Sequence, residues 1–233
     1  KLGQIDRALL SLLQALEHAP EDLAILKEIE LLYEQNDRYD EVVKVLRREA
    51  EVTVEPRDRV PILHKLGTIL EDKLQLVEDA VPVFEEAVGL MPNYVPAKQA
   101  LGRLYEKTGR WSSLADLFEM EIRLEEDPTS RVGRLLKLAE IRETKLSQET
   151  EAIVALKELL ATNPDYQPGR KSLERLLLKR EQWADLIELY DQELSFTEDR
   201  DQQIFLLNRI GLYAEEKLNA LDVAAHAFER VLE

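Results

Sequence analysis

Residues 92–128 read PNYVPAKQALGRLYEKTGRWSSLADLFEMEIRLEEDP. Apolar side chains recur there at helical spacing, first around Leu101 and Leu104 and then from Trp111 onward, as is typical of two amphipathic helices. Gly109 separates the two runs, at a place where helices commonly end on a left-handed glycine. Because the connection is short, the two helices must pack antiparallel. The stretch therefore predicts a helical hairpin.

The same pattern returns every 72 residues, and we call residues separated by 72 or 144 equivalent positions. They include Pro20, Pro92 and Pro164; Tyr39, Trp111 and Trp183; Glu49, Glu121 and Glu193; Ala8, Ala80, Ala152 and Ala224; and Lys1, Lys73, Lys145 and Lys217, each followed by leucine. Five sets in one register without a gap indicate an internal repeat. Each period holds two hairpins, and three periods cover 216 of the 233 residues.

Periodicity and breaker residues together predict thirteen helices and almost no strand. They span 4–18, 21–35, 39–53, 57–73, 77–90, 93–108, 111–125, 128–145, 149–161, 165–180, 183–196, 199–217 and 221–232. The predicted fold is all-α, a right-handed α-solenoid of antiparallel hairpins that bury their apolar faces on one another.

We expect one solenoid over residues 1–233. It would comprise a second helix without its hairpin partner in 1–20, double repeats at 21–92 and 93–164, and an incomplete double repeat at 165–233. Because neither end carries the polar face that caps a free solenoid, we expect the chain to be part of a longer array. Such ends would also allow head-to-tail self-stacking.

Composition excludes several classes of function. Asp and Glu number 47 against 31 Lys and Arg, giving a net charge of −16, which disfavours nucleic acids and anionic membranes as partners. The absence of cysteine excludes disulfide scaffolds and thiolate zinc sites. The three histidines lack metal-ligand spacing, and no phosphate-binding glycine loop or nucleophile elbow occurs. The sequence therefore predicts no enzyme, cofactor, metal site or membrane insertion, and it leaves the cellular compartment undecided.

The hairpin from Leu66 to Pro92 resembles the tetratricopeptide repeat, a helix–turn–helix unit of about 34 residues. The resemblance rests on Leu66, Gly67, Ala80, Phe84, Ala87 and Pro92. Departures alternate with the 72-residue period: Glu30 and Glu174 replace a small residue, and Glu49, Glu121 and Glu193 replace an alanine. The pairing of two divergent repeats is similar to arrays in large bacterial proteins. The family implies a protein-binding scaffold whose concave groove is lined by the first helix of each hairpin.

The resemblance places exposed residues of the first helices in this groove, among them Lys27, Leu31 and Glu34. Two of these helices are locally basic, with cations one helical turn apart. The peptide-binding candidates are Gln99, Arg103, Lys107, Lys171, Arg175 and Lys179. They predict a strip that receives an acidic peptide or a C-terminal carboxylate. The alternative is a solvated face whose cations balance nearby glutamates.

Other interpretations of the repeat stay open. The array could be a structural spacer between distant domains, or a regulatory arm of a larger protein, without a groove ligand of its own. His64 is a further groove candidate. We expect Tyr39, Trp111 and Trp183 to pack the turn of their own hairpin, and the lysines that follow the 72-residue period to favour helix C-termini through the dipole.

Overall fold

The computed structural model describes residues 2–232, and within this range the chain forms thirteen α-helices and no β-strand. Lys1, the first lysine of the repeating set, lies outside the described residues. The helices are α1 (Leu2–His18), α2 (Leu23–Glu34), α3 (Tyr39–Val52), α4 (Pro56–Thr68), α5 (Val77–Leu90), α6 (Val95–Thr108), α7 (Trp111–Leu124), α8 (Pro128–Thr144), α9 (Glu149–Thr162), α10 (Gln167–Lys179), α11 (Trp183–Leu194), α12 (Arg200–Glu216) and α13 (Leu221–Leu232). All thirteen predicted helices are confirmed, with ends within about two residues of prediction. The one local difference is that residues 69–73, predicted as α-helix, continue α4 as a π-helical turn.

Aspartate side chains cap the starts of α2, α8 and α12. Asp127 accepts a hydrogen bond from the Ser130 amide over 2.8 Å, and the equivalent Asp199 accepts one from the Gln202 amide over 2.7 Å. Each carboxylate satisfies an amide that the first helical turn leaves without a partner. Asp127 and Asp199 are thus the N-caps of α8 and α12.

Helix ends follow the repeat as well. Gly109 adopts a left-handed conformation with φ of 69°, as predicted, and its equivalents Asp37 and Glu181 adopt the same conformation. A second equivalent set with positive φ comprises Gln75, Ser147 and Asn219. The backbone reversal is thus set by its place in the period, even where the residue is not the glycine that this conformation favours.

The chain divides into two compact units, residues 1–110 and 111–233. In the first unit, α2 pairs with α3 and α4 with α5, and Leu26 and Phe84 lie fully buried. In the second unit, α8 pairs with α9, α10 with α11 and α12 with α13, around a core that includes Leu156 and Leu176. These hairpins establish the α-solenoid fold in each unit. The single solenoid over 1–233 and its right-handed course stay predictions.

The three aromatic residues that begin α3, α7 and α11 contact the next hairpin, not only their own turn. The Nζ atoms of Lys73, Lys145 and Lys217 lie 5.2, 4.9 and 5.4 Å from the ring centroids of Tyr39, Trp111 and Trp183, respectively. An ammonium over an aromatic face is attracted by the ring quadrupole. The Tyr39 hydroxyl also donates to Asp37 Oδ1, in the turn of its own hairpin, over 2.9 Å, which supports the expected local role at that position. The contact with the next hairpin is additional, and it gives the lysines a second role besides ending helices.

Hairpin packing also varies in size at equivalent positions. A Cβ atom on Gly67 would lie 2.6 Å from the Phe84 ring, and one on Gly211 would lie 2.6 Å from the Phe228 ring. The equivalent residues of the middle repeat, Ala139 and Leu156, are both buried in the core of the second unit. Where alanine replaces the glycine, leucine replaces the phenylalanine. The total side-chain volume at the two positions is thus kept similar, and the interior stays filled.

Candidate functional site

The first unit places Gln99, Arg103 and Lys107 on successive turns of α6, all three exposed. Their spacing of four residues keeps them on one face of the helix. The structure therefore brings these three predicted residues together on the surface of the first unit.

Arg103 is held by a glutamate from the preceding first helix. Its Nη2 donates to Glu71 Oε2 over 2.7 Å, and its Nε donates to Glu71 Oε1 over 3.3 Å. The Glu71 side chain is only 9 % exposed, whereas that of Arg103 is 60 % exposed. Hydrogen bonding to Glu71 raises the pKa of Arg103 above its ordinary value. Of the five guanidinium N–H groups, three still point away from this pair.

The second unit repeats this arrangement on α10, where Lys171, Arg175 and Lys179 are all exposed. Arg175 Nη1 and Nη2 donate to the two carboxylate oxygens of Glu143 over 2.5 and 2.6 Å. The hydrogen bonds from Arg175 hold the pKa of Glu143 below its ordinary value. Lys179 pairs with Glu149. Arg175 and Glu143 are equivalent to Arg103 and Glu71, so the same bidentate pair recurs one period later.

These contacts support part of each sequence-based interpretation. Arg103, Arg175 and Lys179 balance glutamates, as the solvated-face alternative expects. Lys107 and Lys171 form no ion pair with another residue in the range 2–232. Sequence analysis missed the anchoring glutamates; the one signal they carry is that each recurs together with its arginine after 72 residues.

A pocket of about 330 Å³ opens beside Arg175. Most of its wall residues come from α8 and α10, the two first helices that the arginine pair joins, and Leu156 of α9 completes the lining. The wall residues include Leu136, Glu140 and Ser172. Apolar and polar side chains therefore meet next to the basic face of α10. A bound segment could bury an apolar side chain there while an acidic one reaches Arg175.

His64 is not an open groove residue. Its imidazole lies edge-on between the rings of Phe84 and Tyr94, with centroids 5.8 and 5.7 Å away. Burial lowers the pKa of His64 below its ordinary value. The ring therefore packs between two aromatic side chains in the first unit.

Within the described part of the chain, no group of histidine, aspartate and glutamate side chains is arranged to hold a metal ion. None of the described helices is both long enough and apolar enough to cross a membrane.

Comparisons with known proteins agree with this helical repeat. Residues 99–132 and 171–203 match the model of the tetratricopeptide repeat. The Cell division cycle protein 16 homologs of Homo sapiens and Mus musculus are 28% identical over 130 residues, which is 52% of this chain and 20% of theirs. The chain thus spans about a fifth of the length of these curated relatives. Both are mammalian, and the resemblance to bacterial arrays stays a prediction.

Among solved structures, the Naa15/Naa10 complex bound to HypK-THB aligns with a TM-score of 0.57 at 14% sequence identity. The alignment covers 98% of this chain and 34% of that one. At this identity the likeness concerns the fold alone.

Proposed function

Since this chain belongs to the tetratricopeptide-repeat family, we propose that it is a non-catalytic scaffold that holds a segment of another protein against its first helices. Its acidic side chains meet the basic face of α6 in the first unit or the basic face of α10 in the second unit, and each face is a site of its own. On α6 the anchor is Arg103, with Gln99 and Lys107 beside it; on α10 the anchor is Arg175, with Lys171 and Lys179 beside it.

The observation that carries this proposal is the bidentate anchoring of two exposed arginines. Glu71 and Glu143 fix the guanidinium planes of Arg103 and Arg175 before any ligand arrives. A pre-oriented side chain loses less conformational entropy on binding than a free one. The remaining N–H groups suit a second carboxylate, which guanidinium binds with a matching planar geometry.

The test begins with peptides selected on the wild-type protein from a displayed random library. Their dissociation constants are then measured by fluorescence anisotropy for Lys107→Glu and Lys171→Glu, because these lysines have no ion-pair partner in the range 2–232 to disturb. We expect enrichment in Asp and Glu, and a loss of affinity of about tenfold for each reversal.

The matched control is Arg47→Glu, which makes the same change of charge at an exposed position of the second helix α3. It should leave the affinity within about twofold, since distant exposed charges are screened. Selected peptides without acidic residues, or an equal loss in Arg47→Glu, would contradict the proposal.

A spacer or regulatory arm is the second candidate, and the same ion pairs favour it. Glu71–Arg103 and Glu143–Arg175 each join the first helices of successive hairpins, as a rigid spacer requires. If no peptide can be selected on the wild-type protein, this second function is supported.

Head-to-tail self-stacking also stays a prediction. The apolar side chains that such a contact would use include Leu10 and Leu13, which α1 exposes, and Leu221, which α13 exposes.

A further inference from the structure

A pocket of about 410 Å³ lies between α2, α3 and α4 in the first unit. Glu30 and Glu49 form its acidic side, and Leu46 and Ile62 form apolar walls. Leu31, which the family resemblance assigns to the groove, lines the same pocket and is itself exposed. The pocket therefore opens on the face where a partner would lie.

Glu49 is buried in this pocket and forms no ion pair with a residue in the range 2–232, although Lys27 and Lys65 also line the pocket. The residue is 1 % exposed, and its Oε1 accepts no hydrogen bond from any residue in the range 2–232. The nearby Lys65 ammonium lies 2.6 Å from Glu30 Oε1 and 2.7 Å from Glu34 Oε2, so those two carboxylates already engage it. A buried carboxylate that forms no ion pair carries a large desolvation cost.

In the other two repeats, the glutamate equivalent to Glu49 forms an ion pair with an arginine. Glu121 pairs with Arg134 over 3.1 Å, and Glu193 pairs with Arg170 over 3.1 Å. The residues equivalent to those arginines in the first repeat are Ile62 and Leu26. The first repeat thus keeps the buried carboxylate while both intramolecular guanidinium groups are replaced by apolar side chains.

We propose that this pocket binds an arginine side chain supplied by a partner protein, whose guanidinium takes the place that Arg134 and Arg170 occupy beside their glutamates. The three methylene groups of the arginine pack against Leu46 and Ile62, while the planar fork meets Glu49 and Glu30. Arginine suits the site better than lysine, because a fork can serve two carboxylates at once and sheds water more readily.

The site is distinct from the basic faces of α6 and α10, since it selects a cation and not an acidic group. The only link to the proposed function is that the arginine belongs to a protein partner.

The first experiment uses the whole chain, isotope-labelled, and follows its backbone amides by NMR. The probe is N-acetyl-arginine-N-methylamide, and the matched probe is the citrulline compound, which has nearly the same shape but no charge. We expect saturable shifts in α2, α3 and α4 with a dissociation constant on the order of 1 mM for the arginine probe. The citrulline probe should produce none.

Two variants sharpen the result. Glu49→Gln removes the charge with little change of shape, and Ile62→Arg supplies the guanidinium from within the chain. Each should weaken binding of the arginine probe at least about tenfold, with circular dichroism confirming that the helices are kept. Equal shifts with both probes, no binding by the wild-type protein, or unchanged binding by Glu49→Gln would each overturn the proposal.

These outcomes are independent of the proposed function. Ile62→Arg leaves α6 and α10 untouched, so it should retain the acidic peptides selected on the wild-type protein. Loss of arginine binding together with retained acidic-peptide binding separates the two sites.

Discussion

At the scale of single residues, Glu49 differs from its equivalents Glu121 and Glu193, each of which pairs with an arginine. Burial, and then the neighbouring Glu30 carboxylate, raise the pKa of Glu49 from its ordinary 4.5 to about 7. Lys27 and Lys65 act in the opposite direction without cancelling the shift. The buried carboxyl is therefore largely protonated in mildly acidic solution.

This raised pKa makes stability depend on pH. Because the folded chain holds the Glu49 proton up to a higher pH than the unfolded chain does, this group's stabilising contribution is complete below about pH 4.5 and is lost as pH rises through about 7. Glu49→Gln cannot ionise, so its free energy of unfolding relative to the wild type should increase by about 1 kcal/mol or more between about pH 5 and pH 8. Urea denaturation of both proteins across this range measures the difference.

The matched control is Glu121→Gln at the equivalent position of the next repeat. There the carboxylate pairs with Arg134, so the substitution should destabilise the protein at neutral pH. Parallel pH profiles for the wild type and Glu49→Gln would contradict a raised pKa for Glu49.

Individual site residues were predictable to different degrees. Spacing within one helix placed Arg103 and Arg175 correctly on exposed faces, because four residues make about one helical turn. Their glutamate partners lie on another helix, where helical periodicity carries no information. Gly109 was predicted as a helix end from its residue type, whereas Glu181 adopts the same backbone only because its position in the repeat requires it.

At the scale of helices, the contact between α4 and α5 depends on a close approach at Gly67. The Phe84 ring occupies the space that a Cβ atom would need. Phe84 is fully buried, so it has little freedom to move aside. Side-chain volume at these two positions is therefore coupled.

We predict that Gly67→Ala lowers the free energy of unfolding by about 1–3 kcal/mol, because the added methyl group overpacks the hairpin. Phe84→Leu alone should also destabilise it by leaving a void. The double variant should lose less than the sum of the two, with a coupling energy of about 0.5–3 kcal/mol in a denaturation cycle. Its pairing would then approach that of Ala139 and Leu156.

Gly89→Ala in α5 provides the control, since no atom lies within 4 Å of the added Cβ. There the change should be neutral or should stabilise the helix by up to about 1 kcal/mol. Strict additivity of Gly67→Ala and Phe84→Leu would show that their volumes are not coupled.

At the scale of the whole molecule, the net charge of −16 opposes the local basic faces. At about 10 mM salt the Debye length is near 30 Å, so an approaching ligand feels many charges at once. At about 150 mM it falls to about 8 Å, and only nearby groups act. Long-range and local electrostatics can therefore be separated by ionic strength.

We predict that the association rate constant of a selected acidic peptide rises between about 10 and 150 mM salt, because screening removes the long-range repulsion first. For an arginine-bearing peptide of the same length, the association rate constant should fall as the salt concentration rises over the same range. Stopped-flow fluorescence with labelled peptides measures both constants. A falling rate constant for the acidic peptide would show that α6 and α10 dominate its encounter.

The fold was largely predictable because the information lies in short stretches repeated in one register. Apolar periodicity identified every helix, and breaker residues such as Gly109 helped to locate the helix ends to within a few residues. The cation–aromatic contacts and the glycine–phenylalanine matches were missed, because they depend on which side chains of different helices meet in space.

The contacts between successive hairpins bear on how such a chain can change length over evolution. Excision of residues 93–164 would bring Arg175 to the same distance along the sequence from Glu71 that Arg103 has now. It would also retain the lysine contacts of Tyr39 and Trp183, because both members of each pair lie outside the excised stretch. Loss of a single hairpin would instead separate an aromatic ring from its lysine. We therefore expect inherited duplications and deletions in this gene to come in steps of two hairpins, with the 72-residue period as the unit of recombination.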